Sequence, residues 1–507
     1  MDSGDIRLHF RAPTGTRIEE TARLADEVEK VVRQTVPKRE LSTIVDNLGL
    51  PYSGINLSYS NSGTIGTLDG EIQIALNAGH HATLDYIDQL RRALPKQFPG
   101  VEFFFQPADI VTQILNFGSP AAIDIQVSGT SQLKNFDVAS KLYKQIRLIP
   151  GTVDSHIQQK PDEPVINLQM DRTRLQQINL TPSDVTHNTL LALSGSAQTS
   201  PGFWFNNQNG VEYQVSAQMP QYDIASMDQL MRIPVSASNS GPSQLLANLV
   251  QASAQRQFAM VSHYNVRPVI DLYVSVEQTD LGSVAGQVDK LVAKARSSLP
   301  RGSQIFVRGQ VATMHSSYIG LGIGVAMAIV LVYLLIVVNF QSWVDPLIII
   351  SALPAALAGI AWMLFLTRTH LSVPALTGAI MTMGVATANS ILLVAFARQR
   401  MTSGQAPLTA ALEAGATRIR PVLMTALAMI IGMIPMALGL GEGAEQNAPL
   451  GRAVIGGLLF ATVSTLFFVP MTFAAIHLHL EKRRQRHGPA PTHDGPDNPD
   501  AAGQDNS

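Results

Sequence analysis

The sequence predicts an α+β region built from ferredoxin-like β-α-β-β-α-β repeats, followed by an all-α bundle of five transmembrane helices. Three observations carry that fold class. Residues 1–316 alternate short strand-like runs with charged amphipathic helices, residues 317–480 hold five long apolar segments, and 481–507 is a Pro/Gly/Asp/Asn tail of disorder-like composition. The mean hydropathy of +0.14 averages over these unlike parts.

The first repeat reads in order along the chain. Ile6–Arg11 alternates as a strand, and Thr16–Val36 has helical apolar spacing with Glu19 and Glu20 in its first turn. Leu41–Val45, Glu71–Leu76 and Val101–Phe105 are further strands, with a helix at Thr83–Phe98. This order is the split β-α-β-β-α-β unit. A second copy starts at Ala122–Ser128, continues with a helix at Lys134–Ile146, and gives strands at Val153–Gln158 and Val165–Met170. Its second helix and last strand come only at Ser283–Leu299 and Gln304–Arg308. An inserted domain accounts for the delay; it contains the Gly/Asn/Gln-rich stretch Ser194–Gly210 and a strand near Tyr213–Ala217.

The apolar segments are 317–339, 346–366, 373–397, 421–440 and 453–478, each near or above the roughly 20 residues needed to cross a bilayer. Arg398, Arg400, Arg418, Arg420 and the Lys482–Arg486 cluster fall on one side with Gln341–Asp345. Arg368 and Arg452, beside Glu442 and Glu445, fall on the other. The more basic side reads as cytoplasmic, which places residues 1–316 outside. The opening MDSGDIRLHF is no signal peptide. The expectation is therefore that Met1 lies within a longer chain whose upstream membrane helix is missing; a natural half inserted with a partner is the alternative.

The formal net charge of −2 gives no reason to expect a nucleic-acid partner, and the absence of cysteine excludes disulfides and thiolate metal sites. Hydrolase, zincin and P-loop motifs are missing, so active transport would draw on an ion gradient or a partner. The pair His80–His81 reads as a turn rather than a metal site. Met219, Met227 and Met231 suit a soft ion, though methionine more often fills core gaps. Phe203, Trp204 and Phe205 are equally suited to a ligand contact and to the core of a small insertion. In the uncharged stretch 371–397, Thr382, Thr387, Asn389 and Ser390 are expected to face one way, with Asn389 buried at mid-helix and in need of a partner. Interhelical packing is the bland reading of Asn389. Arg418 and Thr425 are seven residues apart, about two turns, and so share a helix face. Together they are a candidate polar edge of a proton path, although each arginine alone would equally mark the cytoplasmic boundary.

The segments RAPTGTRIEET (11–21), FQSWVDP (340–346), GVATANSILLVAFA (384–397), RIRPVLMTALAMIIGMIP (418–435) and FFVPMTF (467–473) resemble the C-terminal half of resistance–nodulation–division efflux pumps. The likeness is to the inner-membrane subunit of the hydrophobe/amphiphile class and runs from about residue 4 to 480. It implies that 1–118 is a third-like porter subdomain, 119–190 with 256–312 a fourth-like one, and 191–255 an inserted docking subdomain. Residues 313–480 would be the last five helices of twelve, and 481–507 a disordered cytoplasmic tail.

The resemblance further implies a proton-driven secondary transporter of small molecules, not an enzyme, with no cofactor beyond the proton gradient. It implies a trimer in the bacterial inner membrane, with residues 1–312 in the periplasm, working with a periplasmic adaptor and an outer-membrane channel. Arg418 and Thr425 match relay positions, with Asn389 lining the path. The family's lysine before that Asn is Ala388 in this chain, and its essential carboxylates lie in the half that is absent. A proton-inactive partner subunit of a mixed trimer and a non-functional remnant are the competing expectations. Metal export lacks a ligand cluster in the sequence.

Overall fold

The computed structural model describes residues 4–50, 63–116, 118–237, 243–439 and 446–486. The expected tail from residue 487 on, and the flanking Glu442 and Glu445, lie outside the described residues. The chain divides between Ala312 and Thr313 into two compact units.

In the first unit, β1 (Asp5–Arg11), β2 (Leu41–Leu48), β3 (Asp69–Leu76) and β4 (Glu102–Gln106) form an antiparallel sheet of order β2-β3-β1-β4. Strand alternation sends Ile6, Leu8 and Phe10 to one face with Ile72 and Ile74. There they meet Ala25, Val28 and Val32 of α1 (Ile18–Thr35) and Leu90 and Leu94 of α2 (Thr83–Gln97). Each of these large apolar side chains contributes about 1.5–3 kcal/mol by burial. The opposite face is polar: Arg7 bonds Glu71 at 2.7 Å, and Arg11 bonds Asp69 at 2.7 and 3.1 Å.

The second repeat uses β5 (Ile123–Ser128), β6 (Thr152–Ile157), β13 (Ser262–Tyr264), β14 (Arg267–Val276) and β15 (Gln304–Gly309). The order is β13-β14-β5-β15, with β6 also pairing β14. Ile123, Ile125, Val127, Ile270, Leu272 and Val274 pack on α3 (Gln132–Ile146) and α4 (Leu281–Arg296).

One expectation is corrected by this sheet. The strand near 165–170 is not its third member: β7 (Glu163–Met170) pairs only with β12 (Val250–Gln257) in a separate ribbon. The place is taken by β14, whose alternating apolar residues bury cleanly, whereas β7 has no fully buried position. The inserted segment beyond the ribbon has its own small core of Leu175, Leu180, Val185, Ile233, Val235 and Leu246. It also holds a helix at Pro182–Ser194 started by a Thr181/Asp184 capping box, and a hairpin of β8 (Gly202–Asn206) and β9 (Val211–Val215).

The two repeats meet through polar and aromatic groups. Phe104 is stacked between His9 (centroids 4.4 Å apart) and His156 (3.6 Å). Arg11 Nη1 donates to the Ile157 carbonyl at 3.1 Å, and Gln158 Nε2 to the Gly63 carbonyl at 2.7 Å. Arg91 is paired with Asp88, Asp154 and Glu277.

In the second unit, five helices are long and apolar enough to cross a membrane: Gln310–Phe340, Val344–Leu366, Val373–Thr402, Pro407–Leu438 and Ala448–Arg483. The fourth begins 14 residues before its expected start at 421, because the charged stretch around Glu413, Arg418 and Arg420 continues the helix. Close packing rests on glycine. A Cβ at Gly359 would collide with the Gly456 carbonyl, and one at Gly456 with Met363, so the second and fifth spans touch backbone to backbone. In the fifth span a π-helical turn, Ser464–Phe468, comes just before Pro470. A widened turn there accommodates a proline that cannot donate to the preceding turn.

Candidate functional site

The third and fourth spans are joined by four residues, 403–406, and pack together as antiparallel neighbours. The Arg418 guanidinium lies 5.5 Å from the Phe396 ring centroid, and its Nε is buried without a partner among the described residues. Thr425 stands seven residues, or about 10.5 Å, beyond Arg418. Asn389 stands seven residues before Phe396. Since the helices are antiparallel, both steps run in the same direction, and Asn389 and Thr425 come to the same depth. Arg418, Thr425 and Asn389 thus lie along one helix hairpin, with no hydrogen bond between them among the described residues.

Other expectations for this stretch are corrected. Asn389 is half-buried, not buried, and its side chain makes no hydrogen bond among the described residues. The four polar residues do not form one polar lining. Thr382 and Thr387 are buried and bond back to the carbonyls of Gly378 and Met383 at 2.8 Å, while Ser390 meets Thr465 at 3.1 Å. These hydroxyls are satisfied within the bundle. Ala388 and Thr425 are exposed in this five-helix unit, and Thr425 Oγ1 donates to its own helix at the Val422 carbonyl.

Sequence reasoning missed a second polar cluster at the end of the spans. Asp345 is buried and accepts from Arg398 at 3.1 Å and from His477 Nε2 at 3.0 Å. The cluster borders a cavity of about 1250 Å³ also lined by Gln341, Gln405 and Arg483. Asp345 and Arg398 stand in the flanks that set topology, and His477 lies inside the expected fifth apolar segment, so the three, far apart in the chain, share no sequence signal.

In the first unit, the remaining candidates separate. His81 Nδ1 is 2.9 Å from Glu40 Oε1, and Tyr86 donates to Glu40 Oε2 at 2.6 Å. The Tyr86 hydrogen bond, followed by those from His81, holds the Glu40 carboxyl down at about 2. His80 contacts the His81 carbonyl, so the histidine pair belongs to a loop and its supporting bonds. Met219 and Met231 pack against the core of the insertion, while Met227 is 40% exposed, so the three thioethers are divided between core and surface. Phe203, Trp204 and Phe205 are each more than half exposed on β8, with Trp204 opposite Tyr213, and are not core residues of this chain. Among the described residues no group of three His, Asp or Glu could hold a metal ion.

Comparison with known proteins places these features. The chain matches the model of the AcrB/AcrD/AcrF family over residues 1–477. It is 30% identical to the nickel-cobalt-cadmium resistance protein NccA of Alcaligenes xylosoxydans xylosoxydans over 76% of this chain and 35% of that protein. It is 24% identical to the cobalt-zinc-cadmium resistance protein CzcA of Cupriavidus metallidurans (94% and 44%). It is 30% identical to the multidrug resistance protein MdtC of Erwinia amylovora (68% and 33%). A crystal structure of a heavy metal efflux pump superposes with a TM-score of 0.77 at 22% identity, over 95% of this chain and 48% of the other, a likeness of fold alone. The chain spans less than half the length of each of these proteins.

Proposed function

The chain belongs to the AcrB/AcrD/AcrF family of resistance–nodulation–division membrane proteins, and from that premise we propose that it is the C-terminal half of a proton-driven efflux permease. It is a multi-pass protein of the inner membrane with its α/β region in the periplasm. In this reading the porter-like repeats guide cargo outward, and the helix hairpin couples that movement to protons. The supporting observation is the grouping of Arg418, Thr425 and Asn389 on one hairpin, with Thr425 and the neighbouring Ala388 open to whatever completes the bundle. The carboxylates that would trade protons with this track belong to the other half of the transporter. That half, a periplasmic adaptor, an outer-membrane channel and trimeric assembly complete the proposed machine.

We assign hydrophobic and amphiphilic small molecules as cargo, in line with the solvent-exposed aromatic hairpin and the division of the methionines between core and surface. A second reading, export of divalent heavy-metal cations, is favoured by the likeness to NccA and CzcA, resistance proteins for nickel, cobalt, cadmium and zinc.

The test is co-expression with the missing half in a pump-deficient Gram-negative host, followed by growth on dyes, bile salts, nickel, cobalt and cadmium. Resistance to the organic compounds alone supports the first reading, and resistance to the metals alone the second. Arg418→Ala and Thr425→Ala should each abolish resistance; full resistance in both would sink the proton-path assignment. Ala388→Lys separates two states of the relay. Gained activity means a weakened relay, and no change means a partner subunit that leaves coupling to another chain.

A further inference from the structure

We propose that Asp124, Gln126 and Asp271 form a binding site for a hard divalent cation, of the calcium or manganese class, on the polar face of the second repeat's sheet. The site follows from strand register. On β5 the residues Ile123, Ile125 and Val127 enter the core, so Asp124 and Gln126 take the opposite face. On β14, Ile270 and Leu272 do the same and leave Asp271 and Tyr273 on that face. Gln126 is the cross-strand partner of Asp271, and Asp124 that of Tyr273. The two acids are therefore diagonal neighbours, with Gln126 adjacent to both. Diagonal Cα atoms stand about 7–8 Å apart, a spacing that a single bridging ion suits well.

Each of the three groups has one atom tied by a close hydrogen bond, and the Gln126 side chain also lies within reach of the Asp271 carboxyl. Asp124 Oδ2 accepts from Gln126 Nε2 at 3.0 Å, and Asp271 Oδ2 accepts from Gln159 Nε2 at 2.7 Å. Gln159 is itself fixed, accepting from the Asp271 backbone N–H at 2.8 Å and donating to Ser262 Oγ at 3.0 Å. The free atoms are Asp124 Oδ1, Gln126 Oε1 and Asp271 Oδ1, all buried and without a hydrogen-bond partner. Gln126 is only 8% exposed, Asp124 5% and Asp271 4%. Three orphaned oxygens, oriented by bonds to the other atoms of the same groups, are the arrangement an oxygen-seeking ion uses. The donor set has neither sulfur nor imidazole, which separates it from a site for a soft ion.

The charge supports the same occupant. Neither acid takes part in a salt bridge among the described residues; Arg308, the cross-strand partner of Asp124, has its guanidinium 3.7 Å from the Tyr264 ring centroid. The Arg308 charge lowers the Asp124 carboxyl less than burial and Asp271 raise it, so the two buried carboxyl groups stay under-compensated, which is costly. Burial, reinforced by the charge of Asp271, pushes the Asp124 carboxyl up to about 8, and burial raises Asp271 as well. A divalent cation would supply the positive charge that both buried carboxyl groups lack. The other titratable or charged groups facing the site are Arg308 on β15, Tyr273 on β14 and, 5.4 Å from the Tyr273 ring, His156 on β6. Burial pushes His156 down to about 3 and Tyr273 well up, so neither changes charge between pH 6 and 8.5.

The test uses the purified full chain in detergent, titrated with Mn2+ and followed by electron paramagnetic resonance, with Ca2+ as competitor. One Mn2+ per chain is expected, displaced by Ca2+. Asp124→Asn and Asp271→Asn should each weaken binding at least 30-fold, whereas Asp223→Asn on the exposed surface should not. Should the Asn variants fail to fold, infrared spectroscopy of the wild type decides: Mn2+ should shift carboxylate stretching bands, and Ca2+ should shift them to a different position. No binding, binding that both Asn variants retain, or carboxylate bands unmoved at saturating Mn2+ would overturn the site. Binding is read without any transport, so its failure is separate from failure of the export reading.

Discussion

Replacing Asp69 by Asn probes the polar face on which the two repeats meet. The Arg11 side chain is 1% exposed and that of Asp69 0%, and their two bonds are 2.7 and 3.1 Å long. Asp69 Oδ2 also accepts from the Ile65 backbone N–H at 2.9 Å, and His9 Nε2 lies 3.3 Å away. Asn keeps the size but removes the charge, and its single carbonyl oxygen can replace only one of the two acceptors, with an NH2 group in place of the other. Breaking one partner out of a buried pair costs about 3–5 kcal/mol, or roughly 10² to 10⁴ in the local opening equilibrium. Hydrogen exchange of peptides spanning 5–11 and 69–76, measured on the full chain in detergent, reads that opening directly. The double variant Arg11→Met/Asp69→Leu should recover most of the protection, since an apolar pair of similar volume avoids the desolvation penalty. Burial alone would raise the Asp69 carboxyl, but His9 and the Arg11 guanidinium overrule it and hold it at about 2 against an ordinary 3.8. A depressed carboxyl stabilises the fold above its unfolded pKa. About 2 kcal/mol of protection should therefore be fully present above pH 4 and fade as pH falls towards 2. Asp69→Asn exchange within a factor of three of wild type would refute the reasoning.

Other substitutions test separate parts of the molecule. Gly456→Leu should force the second and fifth spans apart and cost about 1–3 kcal/mol, seen as a lower midpoint in thermal unfolding followed by Trp362 fluorescence. Arg91→Met should leave Asp154, whose side chain is 5% exposed, without its partner, and raise exchange in β6 by at least tenfold. Phe203→Ser, Trp204→Ser and Phe205→Ser should each change stability by less than about 0.5 kcal/mol, because all three are exposed; a larger loss in a denaturant series would place the hairpin in a core.

Much of the architecture was legible because burial leaves a period in the sequence. Ile6, Leu8 and Phe10 alternate, and Val28, Val31 and Val32 recur at helical spacing. Alternation failed where it had to choose between strands. Both β7 and β14 alternate, and only pairing decides that β14 joins the sheet and β7 the ribbon. The fourth span was predicted too short because charge was read as an end, whereas a helix continues through Arg418. At the candidate site, helical spacing alone linked Arg418 to Thr425, but their register with Asn389 needed the hairpin. The Asp345–Arg398–His477 cluster and the Asp124–Asp271 pair leave no local pattern, since each is assembled from distant strands or helices.

The π-helical turn before Pro470 sets the rotational phase of the fifth span. Thr465, Val469 and Phe473 are all buried and step by four, longer than the 3.6-residue turn of an α-helix. The one extra residue keeps the later stripe aligned with the earlier one of Val454, Leu458 and Ala461. Deleting a single residue between 464 and 468 would turn everything downstream by about 100°. Val469 and Phe473 would then swing out towards lipid, and His477 away from Asp345. The span works like a keyed shaft, with five residues fixing which way its far end faces.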